Sequence, residues 1–323
     1  MENILQWGVN IIRLIQSLAS PPLTGFMIGV TWSGSTLAYL ILIPLIYWCI
    51  DEKKGFRLAL AVLVSAWLNI TLKFLLNQPR PFFAGYDPSL QMIPESMGGL
   101  PSGHAQNALV FWIIIASWIK KKWAYIAAAL ICLALSFSRV YLGVHFPSDI
   151  FGGWILGGAV LCVYFLPGPK IEALLDKGGK RAQMICAALV SFIMILYRPA
   201  ETLLVPGAVF MGLGIGGALN IHYVKFKSRL SGGRSRGVRF SALLVRFLLG
   251  TTVGVLIYVL FGKMTSVSQG ASWYFIAYFV RYALIGLWIS AGAPWLYCVL
   301  RLAEKRTENE NPSGTEEQGP PSE

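Results

Sequence analysis

Pro101-Ser102-Gly103-His104 leads directly into Ala105-Gln106-Asn107-Ala108-Leu109-Val110-Phe111-Trp112-Ile113-Ile114-Ile115-Ala116-Ser117-Trp118-Ile119, and that run stops at Lys120-Lys121-Lys122. A stretch this apolar, with no charged residue from Ala105 to Ile119, reads as a membrane helix. Its two ends differ in kind. Consecutive lysines mark the cytoplasmic side of a span, so Ser102, Gly103 and His104 belong on the opposite side. From this one segment follow the fold class, all-α and membrane-embedded, and a direction for the chain.

Working outward, apolar segments of similar length recur at about 25–50, 57–76, 123–139, 151–167, 183–197, 204–221, 241–262 and 272–300, which makes nine spans in all. Over the 323 residues 55% are hydrophobic and 13% charged, about half the charge of a soluble domain. The formal charge of +12 would suit nucleic acid. The basic residues, however, lie in short blocks between spans, where they face anionic lipid, and a nucleic-acid partner is excluded. With nine spans, 19 of the 27 Lys and Arg share a side with the C-terminus and six lie opposite, so the C-terminus is expected in the cytoplasm. Arg246 and Arg281 fall inside spans and are expected to snorkel to an interface. Cys49, Cys132, Cys162, Cys186 and Cys298 lie in apolar segments without CxxC spacing and read as buried hydrophobes, neither disulfides nor a metal site. Met1-Glu2-Asn3 offers no basic leader, so no cleavable signal is expected. Residues 1–22 read as an interfacial amphipathic segment ended by Ser20-Pro21-Pro22, and 303–323, rich in Glu, Pro, Ser and Gly, as a disordered cytoplasmic tail.

Polar residues interrupt the chain at three places that this topology puts on one face: Lys73 to Arg80-Pro81, Pro101 to His104, and Ser138-Arg139 to His145 and Asp149. Lys73, Arg80 and Arg139 would repel one another unless an anion joined them, and guanidinium forks match phosphate oxygens. Ser102-Gly103 opens a helix, whose free N–H groups and dipole favour an anion. His104 and His145 are two of the three histidines in the chain. Asp149, four residues beyond His145 and just past Pro147, can accept a hydrogen bond from one ring nitrogen and leave the other as a nucleophile. His145 then attacks phosphorus while His104 protonates the leaving oxygen and later activates water. Lys73, Arg80, Arg139, Ser102 and Gly103 hold the phosphoryl oxygens. The loop 77–104, with Phe82, Phe83, Tyr86, Asp87, Met92 and Met97, should shape what enters.

Lys-x6-Arg-Pro, Pro-Ser-Gly-His and Ser-Arg-x5-His-x3-Asp, in that order, resemble the three signature motifs of the type-2 phosphatidic acid phosphatase family, which shares its site with bacterial acid phosphatases and vanadium haloperoxidases. The resemblance implies a helical bundle with a six-span core, here about 23–197, and no metal or other cofactor. The family's roles fall on Lys73, Arg80, Ser102, Gly103, His104, Arg139, His145 and Asp149. Residues 198–302, with three further spans, lie outside that core. The expected activity is hydrolysis of a lipid phosphate or diphosphate, such as a polyprenyl diphosphate or a phosphatidate-like lipid, on the extracytoplasmic face of a bacterial plasma membrane. The alternatives are a soluble phosphoester, as in glucose-6-phosphatase, a lipid phosphotransferase, or a lipid transporter or scaffold with a vestigial site. The oligomeric state is left open.

Overall fold

The computed structural model describes residues 2–83, 86–196, 201–230, 236–267 and 271–306. The expected tail from 307 onward, Arg198 and the glycine pair at 232–233 lie outside these residues. The described chain is almost wholly helical. In order it forms α1 (Glu2–Gln16), α2 (Pro21–Ser33), α3 (Thr36–Cys49), α4 (Glu52–Leu76), α5 (Gly103–Ile119), α6 (Lys122–Tyr141), α7 (Pro147–Phe165), α8 (Gly168–Leu196), α9 (Glu201–Leu219), α10 (Arg236–Val267), α11 (Tyr274–Leu287) and α12 (Ala293–Val299). Among the described residues seven helices are long and apolar enough to cross a bilayer: α4, α6, α7, α8, α9 with its π-helical continuation, α10, and α11 joined to α12. The bent pair α2–α3 taken as one span makes eight, and α5, 17 residues and about 25 Å long, is apolar but shorter, so eight of the nine expected segments meet the length of a span.

Two of these elements differ from expectation. The first span is broken: α2 and α3 meet at a bend of 47°. The intervening Gly34-Ser35, small and poor at holding a helix, lets the ladder part there. Helix α8 begins at Gly168 and takes in Lys170, Lys177, Lys180 and Arg181, which the sequence reading put in a loop. A kink at Gly179, φ 65°, separates this polar lead-in from the apolar half.

The chain forms two compact units. The first holds Met1–Leu42 and Leu58–Leu174. Within it α5 packs between α6 and α7. On α7, Gly153 and Gly157 allow close approach, since a Cβ on Gly153 would stand 2.6 Å from the Ser102 carbonyl and one on Gly157 3.0 Å from that of Gln106. The start of α7 is thereby pressed onto the start of α5. Helix α1 has three faces. Leu5, Val9 and Ile12 are buried against Leu90, Phe146 and Ile150, each contributing about 1.5–3 kcal/mol. Gln6, Asn10 and Arg13 are exposed and polar. Ile4, Trp7 and Leu14 are exposed and apolar, more than half of each accessible. The helix ends at Gln16, and Pro21-Pro22 open α2.

The second unit holds Ile43–Arg57 and Leu175–Glu323. Tyr47 and Trp48 at the end of α3 donate to the carbonyls of Ser290 (2.8 Å) and Ile289 (2.9 Å), which ties this turn to the π-helical segment after α11. The glycines of α9 serve close packing: a Cβ on Gly212 would come within 2.0 Å of the Ala283 carbonyl in α11. Neither intramembrane arginine snorkels. Arg246 is fully buried and donates to the carbonyls of Leu302, Trp48 and Ser228. Arg281 is 8% exposed, stacks 4.0 Å over Tyr258 and reaches Thr265. Carbonyls take the place of water for Arg246, and ring faces and a hydroxyl do so for Arg281. Of the cysteines, Cys132 is buried and Cys162 exposed. The expected tail begins inside this unit: strand β2 (Glu304–Lys305) pairs antiparallel with β1 (Phe226–Lys227), so the residues just past 303 are part of the fold.

Candidate active site

Every candidate site residue named from the sequence lies in the first unit. Lys73 is in the last turn of α4. Arg80 follows in the loop after it. Ser102 caps α5, and Gly103 and His104 begin it. Arg139 is in the last turn of α6. His145 lies in the short turn to α7, and Asp149 is in the first turn of α7. That turn is tight because of Gly143, at φ +69°, where a Cβ would overlap the Leu90 carbonyl at 1.8 Å. His145 therefore returns beside Arg139 after only six residues.

Asp149 is wholly buried. Its Oδ2 accepts from His145 Nδ1 and from the Phe146 N–H, each at 3.0 Å, and its Oδ1 accepts from Gln78 Nε2 at 2.8 Å. A carboxylate reaching back to the N-cap amide is half of a capping box. Here the same group fixes the imidazole, with the proton on Nδ1. Nε2 is left with its lone pair and lies 3.3 Å from Arg80 Nη1. Burial and then the Arg80 guanidinium, with Lys73, Arg139 and His104 adding, hold the His145 pKa well below the ordinary histidine value. The ring is neutral at neutral pH, as a nucleophile must be.

The three cations converge, and a carboxylate that sequence reasoning missed joins them. Glu95 accepts from Arg80 Nη2 at 3.2 Å through one oxygen and from Arg139 Nη2 through the other. Arg80 and Arg139 are each about 2% exposed. Burial lowers the Arg80 pKa and Glu95 opposes that shift. The rest of the same loop supplies carbonyls: Met97 to Arg80 Nε (2.5 Å), and Gly98 (2.5 Å) and Gly99 (3.0 Å) to Lys73 Nζ. Of the candidate phosphate-binding groups, Ser102 Oγ and Arg139 Nε are buried without a hydrogen-bond partner. Although it stands at the N-cap, Ser102 does not cap its helix with its side chain, so hydroxyl and helix amides remain open to a ligand.

Behind the α5 start lies a buried polar chain that the motifs do not signal. Asn69 Nδ2 donates to the Pro101 carbonyl (3.1 Å) and to Gln106 Oε1 (2.8 Å), and Gln106 Nε2 donates to the Ser65 carbonyl (2.7 Å). A Cβ on Gly103 would sit 3.1 Å from Asn69 Oδ1. The network sets where the Gly103 and His104 backbone stands. Three polar residues spaced along apolar helices would have been the sequence signal. Among the described residues no group of three or more His, Cys, Asp or Glu is disposed to hold a metal ion.

Fold and site together describe an integral membrane helical bundle with a cationic anion pocket and a carboxylate-anchored imidazole at its edge. The chain belongs to the PAP2 superfamily: that family's model matches residues 54–171, and the model of its phosphatase transmembrane extension matches 205–305. It is 33% identical to phosphatidylglycerophosphatase B of Bacillus subtilis over 46% of this chain and 75% of that one. It is 27% identical to an undecaprenyl-diphosphatase of Sulfolobus acidocaldarius, over 48% and 76% respectively. The identity to glucose-6-phosphatase catalytic subunit 1 of Haplochromis nubilus is also 27%, over 61% of this chain and 62% of that relative.

Proposed function

We propose that this membrane phosphatase hydrolyses a lipid phosphate or diphosphate through a phosphohistidine. One observation carries the reading: the Glu95 carboxylate bridges two buried guanidiniums beside His145 Nε2. A seat that holds two carboxylate oxygens between two forks also suits a phosphoryl group, and the open Ser102 Oγ and Arg139 Nε supply further donors.

In the first step the Nε2 lone pair attacks phosphorus, the P–O ester bond breaks opposite, and His104 gives its proton to the leaving oxygen. Asp149 supports the charge that grows on the imidazole. In the second, His104 takes a proton from water, the water oxygen attacks phosphorus, and the N–P bond breaks to release phosphate. Lys73, Arg80 and Arg139 hold the equatorial oxygens throughout. The lipid assignment draws on relatives that act on phosphatidylglycerophosphate and undecaprenyl diphosphate. With the basic loops cytoplasmic, the site opens on the extracytoplasmic face, and a bacterial inner membrane suits such a chain.

Phosphate release by detergent-purified protein, in EDTA, from lipid monophosphates, polyprenyl diphosphate and glucose 6-phosphate tests this. Lipid substrates should be preferred, orthovanadate should inhibit, and His145→Ala should lower turnover about a thousandfold or more. A strict divalent-metal requirement would refute the mechanism, and preference for glucose 6-phosphate would give the site to a soluble phosphoester.

A further inference from the structure

The broken first span has a chemical consequence at the site. In an unbroken helix the Thr31 carbonyl would accept from the Ser35 amide four residues on. At this break the Ser35 N–H goes instead to the Trp32 carbonyl (3.0 Å), and the Thr31 carbonyl takes the Gly34 N–H at 3.1 Å. That tightened turn leaves the Thr31 oxygen free to take a second donor, and the His104 ring stands close enough to interact with it. Gly34 makes the approach possible, for a Cβ there would press on Leu135 at 2.8 Å and on His104 Cδ2 at 3.4 Å. The Thr31 side chain turns to the other partner: its Oγ1 accepts from Arg139 Nη1 at 2.8 Å. Thr31 is 4% exposed.

We infer that Thr31 is a positioning residue of this site, setting Arg139 through its hydroxyl and His104 through its carbonyl. The inference rests on the reading of the site as a phosphate pocket. Arg139 divides its donors: Nη1 to Thr31, Nη2 to Glu95, Nε to no partner. A phosphoryl group that displaces Glu95 takes Nη2 and Nε. Nη1 then stays with Thr31, a neutral acceptor that fixes the fork without cancelling its charge. On His104, a ring N–H given to the Thr31 carbonyl would settle which nitrogen faces the leaving oxygen and then the water. Thr31 lies outside residues 54–171, the part matched by the family model, in a helix where a threonine looks like any other span residue.

The test uses full-length protein in detergent and three variants. Thr31→Val keeps the shape and removes the acceptor, Thr31→Ala removes both, and Thr31→Ser keeps the hydroxyl alone. Orthovanadate and inorganic phosphate binding are measured by calorimetry, alongside the melting temperature and kcat/KM. Loss of one buried charge-assisted hydrogen bond should weaken vanadate about tenfold or more in Thr31→Val, at a melting temperature near wild type. Thr31→Ser should return to within about threefold of wild type. If Thr31→Val fails to fold, Thr31→Ala against Thr31→Ser gives the same comparison. Wild-type vanadate affinity in the variant lacking the hydroxyl would overturn the inference, as would a loss in Thr31→Ser equal to that in Thr31→Val. Because anion binding is read without turnover, a wild-type protein that binds vanadate but hydrolyses none of the lipids refutes the proposed activity and leaves the role of Thr31 still measurable.

Discussion

Glu95 neutralises a cluster that would otherwise be hard to keep together. Arg80, Arg139 and Lys73 are buried within one pocket, and like charges at such distances repel strongly once water is removed. Replacing Glu95 with Gln removes the internal counter-charge while leaving a hydrogen-bond acceptor. We expect the substituted protein to lose about 1–3 kcal/mol of stability in phosphate-free buffer and to regain it when orthovanadate is added. It should also bind vanadate more tightly than wild type, since no carboxylate competes. Melting curves across a vanadate titration check both, and a variant that binds vanadate more weakly would show Glu95 to be a helper, not a competitor. The catalytic motifs were legible because chemistry forces rare residue types to fixed spacings: Lys73 to Arg80, Ser102 to His104, Arg139 to His145 to Asp149. Glu95 was not, because it sits in a loop without periodicity. The one hint was that three cations demanded an anion and Glu95 lay between their motifs. Asp87, the loop carboxylate the sequence reading did name, pairs with Arg13 at 2.7 Å instead.

At the scale of elements, the site depends on a turn and a bend. Gly143 lets the chain reverse between α6 and α7 at a backbone angle that other residues resist, with the Leu90 carbonyl where a side chain would go. Gly143→Ala should cost about 2–4 kcal/mol and displace His145 from Arg80. Gly158→Ala, on α7 with open space around it, is the control and should be neutral or slightly stabilising. Melting temperature and kcat/KM of the two, measured together, check this. If both behave alike, the turn does not hold the nucleophile. Helix positions were readable from apolar runs, since a span must satisfy its own backbone whatever lies beside it. The bend at Gly34 was not. A Ser-Gly-Ser step inside an apolar run weakens a helix but is compatible with a straight span, and the neighbours that Gly34 meets at the bend, Leu135 and His104, come from distant parts of the chain that no local pattern encodes. The polar first half of α8 was misplaced for the opposite reason, as lysines suit both a loop and a solvated helix.

For the whole molecule, the distribution of Lys and Arg carries the orientation. A cysteine introduced at Lys121, in a background without the five native cysteines, should be shielded from a membrane-impermeant maleimide in intact cells. One at Gln91, exposed in the loop beside the site, should label. The reverse pattern would turn the protein over and put its chemistry in the cytoplasm. Composition was enough to announce a polytopic bundle, but not that Ile43–Arg57 would fold with the C-terminal unit. That grouping comes from Tyr47 and Trp48 bonding to carbonyls some 240 residues away, and such pairings leave no trace in a hydropathy profile. The three-faced α1 has a mechanical bearing on all of this. A rod that is oily on one flank, wet on another and packed by its third against Phe146, next to the nucleophile, is expected to float at a single height, for sinking drowns its amides and rising strands its tryptophan. The reacting phosphorus should therefore keep level with the lipid headgroups in thick and thin bilayers alike, with any mismatch in thickness absorbed at the far ends of the spans.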